Sequence, residues 1–362
     1  MRGAILKSVL WLTLVFAIIE PSLAQNYALP ENKYNLLTMP YNHRPLTLYQ
    51  GQVEINGGYK FAVRSQSYTA DGQSIYLKDN GTGSVYHFYF ADLSYGITDF
   101  MQAGISTNML RHGQREQTTT ITANDLGTSE RVTVNKLTEV KGMGDLLIFT
   151  TLRLPIKYRW FDFAATGGLF IPTSQYKEQK PQNTVVSDLT AVSSYTVNYH
   201  YNQTNGYGVP VYLLSASVKG GYWKLFFEGD FIFKTPKEEG TNVRWEATLV
   251  DKIFTYYEKP YQYLLSNSYT VNGALHYQAT GWFDLFFNTS WQKTKGGWTE
   301  YNGKKYENRE TSLLTLEPGF ELKISPTFTI GQLAGFPVSG VNSDAPFYLL
   351  TTIRFDFFPF FR

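Results

Sequence analysis

The strongest constraint on this chain lies between residues 94 and 173, where apolar side chains fall at every second position over three stretches. Met101, Ala103 and Ile105 do so first, then Leu146, Ile148, Leu152 and Leu154, then Phe161, Phe163, Ala165, Leu169 and Ile171. Successive side chains of a strand point to opposite faces, so period two selects strands and rejects helices. Gln102, Ser106, Asn108, Asp145, Thr151, Arg153, Asp162 and Thr166 fill the positions between. Each strand therefore carries one apolar and one polar face over roughly 10 residues, the length that crosses a bilayer at a tilt.

The connectors alternate as well. Gly96 to Asp99 and Pro155 to Trp160 read as tight turns, whereas Gly113 to Lys141 and the segment after Pro172 read as long polar loops. Short turns at one end and long loops at the other are the pattern of a transmembrane, antiparallel, up-and-down β-barrel. Its strands must close, because hydrocarbon offers no partner to an unpaired backbone group.

The rest of the chain repeats the pattern. Strand one starts from Thr47, with Tyr49, Val53, Ile55, Tyr59, Phe61 and Val63 on one face. Ser65 to Ser84, containing Asp71-Gly72 and Asn80-Gly81, is a long loop. Strand two, Val85 to Tyr95, has no clear facing, since Phe88 and Phe90 compete with Tyr89 and Leu93. A polar, Tyr-rich loop spans 175 to 208 and reads either as a binding surface or as packing for the barrel mouth.

Strand six alternates at Tyr212, Leu214, Ala216 and Val218. Strand seven places Trp223, Leu225, Phe227, Phe231 and Phe233 outward and Lys224, Glu228, Asp230 and Lys234 inward. Thr235 to Leu264 and Lys293 to Glu310 are expected to be loops, with strands eight and nine between them. Strand ten follows, strand eleven is expected to be short, near Phe328 and Ile330, and Phe347 to Phe357 makes the last. The count is about twelve, giving long extracellular loops, short periplasmic turns and both termini on the periplasmic side.

Composition fits. Aromatic residues make up 17% of the chain while the mean hydropathy is only −0.26. A lipid-facing aromatic surface around a polar interior accounts for both; a secreted β-sandwich would bury its apolar face and have less use for so many rings. Residues 1–24 carry Arg2 and Lys7, an apolar run from Val9 to Ile19 and then Ser22-Leu23-Ala24, as a secretory signal peptide does. Residues 25–46, with Pro30, Pro40 and Pro45, read as a periplasmic lead-in, and 47–362 as the outer-membrane barrel. The 32 basic and 30 acidic side chains become 30 and 29 without Arg2, Lys7 and Glu20, so no nucleic-acid partner is indicated. The absence of cysteine rules out disulfides and a lipidated N-terminus.

Three blocks carry a resemblance: SYGITDFMQAGIS (94–106), GMGDLLIFTTLRLP (142–155) and GLFIPTS (168–174). In order and spacing they are similar to the YGLTD turn, GxGD strand start and PTG strand end of the outer-membrane family known as the meta-pathway of phenol degradation proteins. Tyr95, Gly96 and Asp99, then Gly142, Gly144 and Asp145, then Pro172 and Thr173 occupy those places; Ser174 and Phe149 stand where that family usually has glycine. The resemblance implies an outer-membrane barrel passing aromatic or poorly soluble compounds, and it supplies no catalytic residues.

The interior candidates are Glu54, Lys60, Arg64, Asp145, Arg153, Asp162, Lys224, Glu228, Asp230, Glu317, Glu321, Lys323 and Arg354, with Asp92 and Asp356 beside them. Both signs occur, so they either neutralise one another or line a solute path. No catalytic, cofactor-binding or metal-binding set is expected: the five histidines are scattered, no G-x-S-x-G is present, and only His87 could face lipid as a lipid hydrolase would want. The expected function is a passive channel or transporter for small, hydrophobic or aromatic solutes in the outer membrane of a Gram-negative bacterium. A surface barrel whose loops bind a partner is the alternative. Expected partners are outer-membrane lipid, a small hydrophobic solute and the assembly machinery that reads the aromatic last strand, in which Phe355 and Phe357 belong at the periplasmic interface and pairing should stop near Phe358, before Pro359.

Overall fold

Alternation without helix caps leaves the backbone one way to satisfy its hydrogen bonds, a ladder to each side. The computed structural model describes residues 46–76, 84–123, 129–154, 161–173, 182–184, 194–203, 207–222, 224–250, 253–325 and 327–358, with strand pairing alone over 112–123, 129–141, 182–184, 194–203, 244–250 and 253–256. Twelve strands form the wall: β1 (Val53–Tyr68), β2 (Ser84–Thr98), β3 (Met101–Ala123), β4 (Leu146–Arg153), β5 (Phe161–Ile171), β6 (Val211–Tyr222), β7 (Leu225–Pro236), β8 (Asn267–Gln278), β9 (Phe283–Lys295), β10 (Thr311–Lys323), β11 (Phe328–Val341) and β12 (Asp344–Phe357). Each pairs antiparallel with its chain neighbours, and β12 returns to pair with β1 from Val53↔Phe357 to Ser67↔Asp344. The barrel is closed.

Register fixes the facing of every strand. On β7, Leu225, Phe227 and Phe231 are exposed while Phe226 is 1% exposed. The outer surface presents Ile55, Leu93, Ile105, Ile148, Leu214, Leu275, Leu285 and Ile353 all round the wall. An apolar surface of that extent is stable against hydrocarbon and not against water. No helix among the described residues is long and apolar enough to cross a membrane; the strands themselves have the length and the face to do so. Polar side chains on this face pair with each other: Thr351 donates to Gln332 Oε1 at 2.6 Å. Pro318, which has no N–H to give, also faces outward, and the β10–β11 ladder skips it, passing from Leu316↔Phe336 to Gly319↔Leu333.

β2 shows why its sequence was ambiguous. Val85, Tyr89, Ala91, Leu93, Tyr95 and Ile97 are exposed on one parity, so Phe88 and Phe90 point inward. Both faces are apolar there, and alternation had nothing to distinguish.

Three expectations need correction. Strand one begins at Val53, not Thr47: Gly51 at φ +80 turns the chain, and Leu46 to Gln52 folds back into the barrel end that carries the tight turns. Strand eleven is not short but runs Phe328–Val341; Gln332 and Ala334 dilute its apolar face, and Gly331, Gly335 and Gly340 leave no polar side chain at inward positions to mark the alternation. Most of the long loops are not loops but hairpins. The ladder of β3 continues beyond the apolar band and returns as Ser129–Met143, and Gly240–Val250 pairs with Ile253–Leu264. Ser74–Tyr76 likewise returns on the end of β1, and Trp298–Tyr301 pairs with Lys304–Glu307 through the Asn302-Gly303 turn, both residues at positive φ. Thr, Val and Tyr hold such strands in water without an apolar face, so the hydropathy signal ends where the ladder does not. The leader, the lead-in through Pro45, the Pro155 to Trp160 turn, Trp223 and Pro359 lie outside the described residues; β12 ends at Phe357.

The register is directly testable. In intact membranes a water-soluble thiol reagent should modify Glu228→Cys through an aqueous interior and leave Phe227→Cys protected by lipid; the reverse labelling would overturn the facing of β7.

Candidate functional site in the barrel interior

The inward face of this wall is divided into two chemistries. Near the tight-turn end lies a belt of charge. Arg153 Nε meets Asp162 Oδ1 at 2.6 Å, Lys219 Nζ meets Glu228 at 3.1 Å, and His276 Nε2 stands 3.9 Å from the same carboxylate. Lys323 approaches Asp284 at 3.7 Å, and Arg354 lies 3.7 Å from Glu321 and 3.4 Å from Asp356. Asp284 and Asp356 are each 1% exposed. Charges held out of bulk water this way must be paired, and removing one partner of such a pair typically costs ~3–5 kcal/mol.

The fold gathers the belt from residues far apart in sequence because each occupies the same level of a neighbouring strand. Lys219 and Glu228 are register partners, as are Glu54 and Asp356. Other contacts reach past an intervening strand. Arg354 on β12 reaches Glu321 on β10 over Gly331 of β11, and Tyr348 donates to Glu317 over Gly335. Only a strand with no side chain at that point permits such a bridge, and only on the concave side. A Cβ on Gly335 would sit 2.2 Å from the Tyr348 ring.

Closer to the hairpin end, Lys60 Nζ sits 3.5 Å above the Tyr348 ring, and Arg64 pairs with Asp344 at 2.8 Å. Asn56 donates to Asp92 at 3.2 Å. Asp145, 3% exposed, accepts from the backbone N–H of Tyr207 and of Thr173, pinning the strand ends at the mouth. Lys224 donates to the Ala279 carbonyl between adjacent turns. Asp230 faces inward opposite Asn272 on β8. These charged side chains lie on or at the ends of the inward face. Lys219, His276 and Asp284 join them; the same alternation places them, since Val218, Leu275 and Phe283 point outward.

The second chemistry is apolar. Phe88, Phe90, Leu110, Leu147, Phe149, Phe170, Val211, Leu213 and Ile232 point inward from β2 to β7. Phe170, Val211 and Leu213 form a buried cluster with Leu147, Tyr207, Ile232 and Leu265. Phe90 lies over Gly58 and Phe149 over Gly104, each ring within 2.5 Å of where a Cβ would be, so the rings lie along the wall. Strict alternation missed this surface. Its signal was present in the runs where both parities are apolar, Leu146 to Phe149 and Val211 to Leu214.

The tight-turn mouth is partly filled by the chain's own segment. Leu46 N–H donates to Asp162 at 2.7 Å and Leu48 N–H to Gln102 Oε1 at 2.8 Å, both acceptors being inward side chains. Thr47 and Gln52 are 3% exposed. Of the Tyr-rich loop, Tyr207 packs edge-on to Phe170 at 5.3 Å inside the other mouth; most of the rest lies outside the described residues. Among the described residues no cluster of His, Asp and Glu could hold a metal. His87 does face outward, and its hydrogen-bond partner is the Tyr59 phenol at 2.7 Å.

The glycine bridges yield a prediction. Gly335→Ala drives a methyl group into a ring already fixed by Glu317, and overpacking of this kind costs ~1–3 kcal/mol. Gly167→Ala, with open space around its Cβ position, should cost far less. Urea unfolding of the refolded barrel reads the difference, and equal midpoints would refute the bridge.

No model of a known protein family matches the chain, and no curated protein sequence matches it. Solved structures do. An outer membrane channel from Pseudomonas putida F1 superimposes with a TM-score of 0.58 at 12% identity, over 88% of this chain and 99% of that one. A deltaS2S3 mutant of the TodX monoaromatic hydrocarbon channel gives 0.45 at 8% identity over 90% and 94%, and the translocator domain of the autotransporter NalP from Neisseria meningitidis 0.40 at 9% over 86% and 90%; both are too loose to bear on function. The first likeness shows the fold, that of an outer-membrane barrel, and does not name the family that the sequence blocks suggested.

Proposed function

We propose that this barrel is a passive outer-membrane channel for small hydrophobic or amphipathic solutes, aromatic compounds among them. The observation that carries the reading is the two-sided interior: an apolar wall from Phe88 round to Ile232 stands beside a belt of paired charges. Inward Phe and Leu hold water poorly and offer little to a fully hydrated sugar or ion, whereas a solute with an aromatic body and a polar edge finds apolar surface and polar groups in the same interior. The fold likeness to an outer membrane channel from Pseudomonas putida F1 agrees with this placement. In it the tight turns and both ends of the chain are periplasmic, the hairpins are extracellular, and residues 1–24 are removed on export.

A second reading rests on the hairpins. Gly240–Val250, Ile253–Leu264, Trp298–Tyr301 and Lys304–Glu307 form a separate four-stranded sheet beyond the wall, with Tyr257 and Tyr306 exposed on it. Such a platform suits a surface protein whose barrel serves as an anchor. Lipid hydrolysis has less support, since His87 is engaged by a phenol and not by a serine.

Uptake into proteoliposomes separates these readings. A small aromatic hydrocarbon should enter faster than into empty vesicles, by about tenfold more than a sugar of equal size does, and Phe149→Asp should abolish the difference while leaving the barrel folded. No acceleration of either solute would contradict a channel; faster sugar uptake would contradict the solute class.

A further inference from the structure

The outward wall holds one group of residues that neither the ladder nor the interior explains. On adjacent strands Phe61, His87 and Arg111 stand side by side in register, with Tyr59, Tyr89 and Met109 in the row below. Tyr59 bonds His87 Nδ1 at 2.7 Å, and the Tyr59 and Tyr89 rings pack at 4.9 Å. Arg111 is exposed, and the outward residues beside and below it, Phe61, Tyr59, Tyr89 and Met109, are apolar or aromatic.

Height gives the position its meaning. Arg111 lies ten residues above Met101 at the tight turn, and at about 3.3 Å per residue and a tilt near 40° that is about 25 Å, the full height of an apolar band. The guanidinium is therefore at the hydrocarbon boundary on the hairpin side. Lys293 sits at the same height above Phe283 on the opposite wall, and there the chain supplies its own carboxylate, Glu310. Arg111 has no carboxylate within ion-pair distance among the described residues. Its partner in the next strand is Lys141, a second cation at that register position.

We infer that Arg111, His87 and Tyr59 form a site for the phosphate group of a lipid headgroup in the leaflet facing the hairpins. Arg presents a planar fork that matches phosphate oxygens. An anion at His87 Nε2 selects the tautomer in which Nδ1 accepts from the Tyr59 phenol and Nε2 donates outward. Tyr89 and Met109 give the acyl chains an apolar surface directly below, with Phe61 beside the site. The inference rests on the outer-membrane placement proposed above but not on the channel activity.

Native mass spectrometry of the detergent-purified, folded barrel tests it, with diphosphorylated lipid A and its dephosphorylated counterpart as probes and inorganic phosphate at millimolar concentration as competitor. The phosphorylated lipid should be retained at least tenfold better than the dephosphorylated one. Arg111→Gln should remove that preference, and His87→Asn should weaken it, while Arg111→Lys should keep part of it. Solute uptake by Arg111→Gln should match the unaltered barrel, so a failed channel and a failed lipid site are told apart. Equal retention of the two lipids, or an unchanged preference in Arg111→Gln, would overturn the site. Displacement by inorganic phosphate at equal affinity would overturn the lipid source.

Discussion

Every backbone N–H and C=O that lies in hydrocarbon must find a partner within the protein, and closure of the sheet is the only arrangement that leaves none over. The β1–β12 ladder is that closure. It runs from Val53↔Phe357 to Ser67↔Asp344 and absorbs one irregularity, between Arg64 and Gln66, where Pro346 has no N–H to offer. An even strand number follows, which puts Val53 and Phe357 at the same end and the hairpins at the other. From closure also comes the distinction between outside and inside, and from that the chemistry of the interior.

The sequence made the wall legible because lipid enforces its rule on one face of every strand. A one-residue slip would turn Glu228, Glu321 or Arg354 into hydrocarbon, where an Arg at mid-bilayer costs about 2–4 kcal/mol, so the charged residues of β7, β10 and β12 all keep to the inward parity. Wherever the rule relaxes, legibility was lost. The inward Phe88, Phe90, Leu147 and Phe149 answer to no lipid and obey no polar requirement, so alternation alone could not assign them. β11 reads as shorter than it is because Gln332 occupies a lipid-facing position, tolerated through its bond to Thr351, and because Gly331, Gly335 and Gly340 carry no hydropathy signal. In the hairpins beyond the wall, polar sequence and strand geometry coexist.

Those same glycines connect fold to function. Gly331 and Gly335 let Arg354 and Tyr348 reach across a strand to Glu321 and Glu317, and Gly58 and Gly104 let Phe90 and Phe149 lie along the wall. Charge is thereby tied up in pairs in a belt near the tight turns, while aromatic surface is spread over the wall of β2 to β7 closer to the hairpins. The segment Leu46 to Gln52 then narrows the tight-turn mouth, held by Asp162, itself already paired with Arg153. On the channel reading, a solute entering from the hairpin end meets apolar wall, paired charge and a backbone strap in turn, so selectivity belongs to the arrangement and not to any single residue.

Closure can be measured without reference to solute. The chain has no cysteine, so Ile55→Cys with Phe355→Cys places two thiols opposite each other across the β1–β12 ladder with no background. Opposed Cβ atoms in a ladder are ~5 Å apart, within reach of a short bifunctional thiol reagent. The account predicts efficient cross-linking within one chain in intact membranes and a barrel that keeps its compact electrophoretic mobility after boiling. The pair Ile55→Cys with Phe347→Cys, displaced along the ladder, should give none. Cross-links only between chains, or equal yield from both pairs, would contradict a barrel closed by its first and last strands.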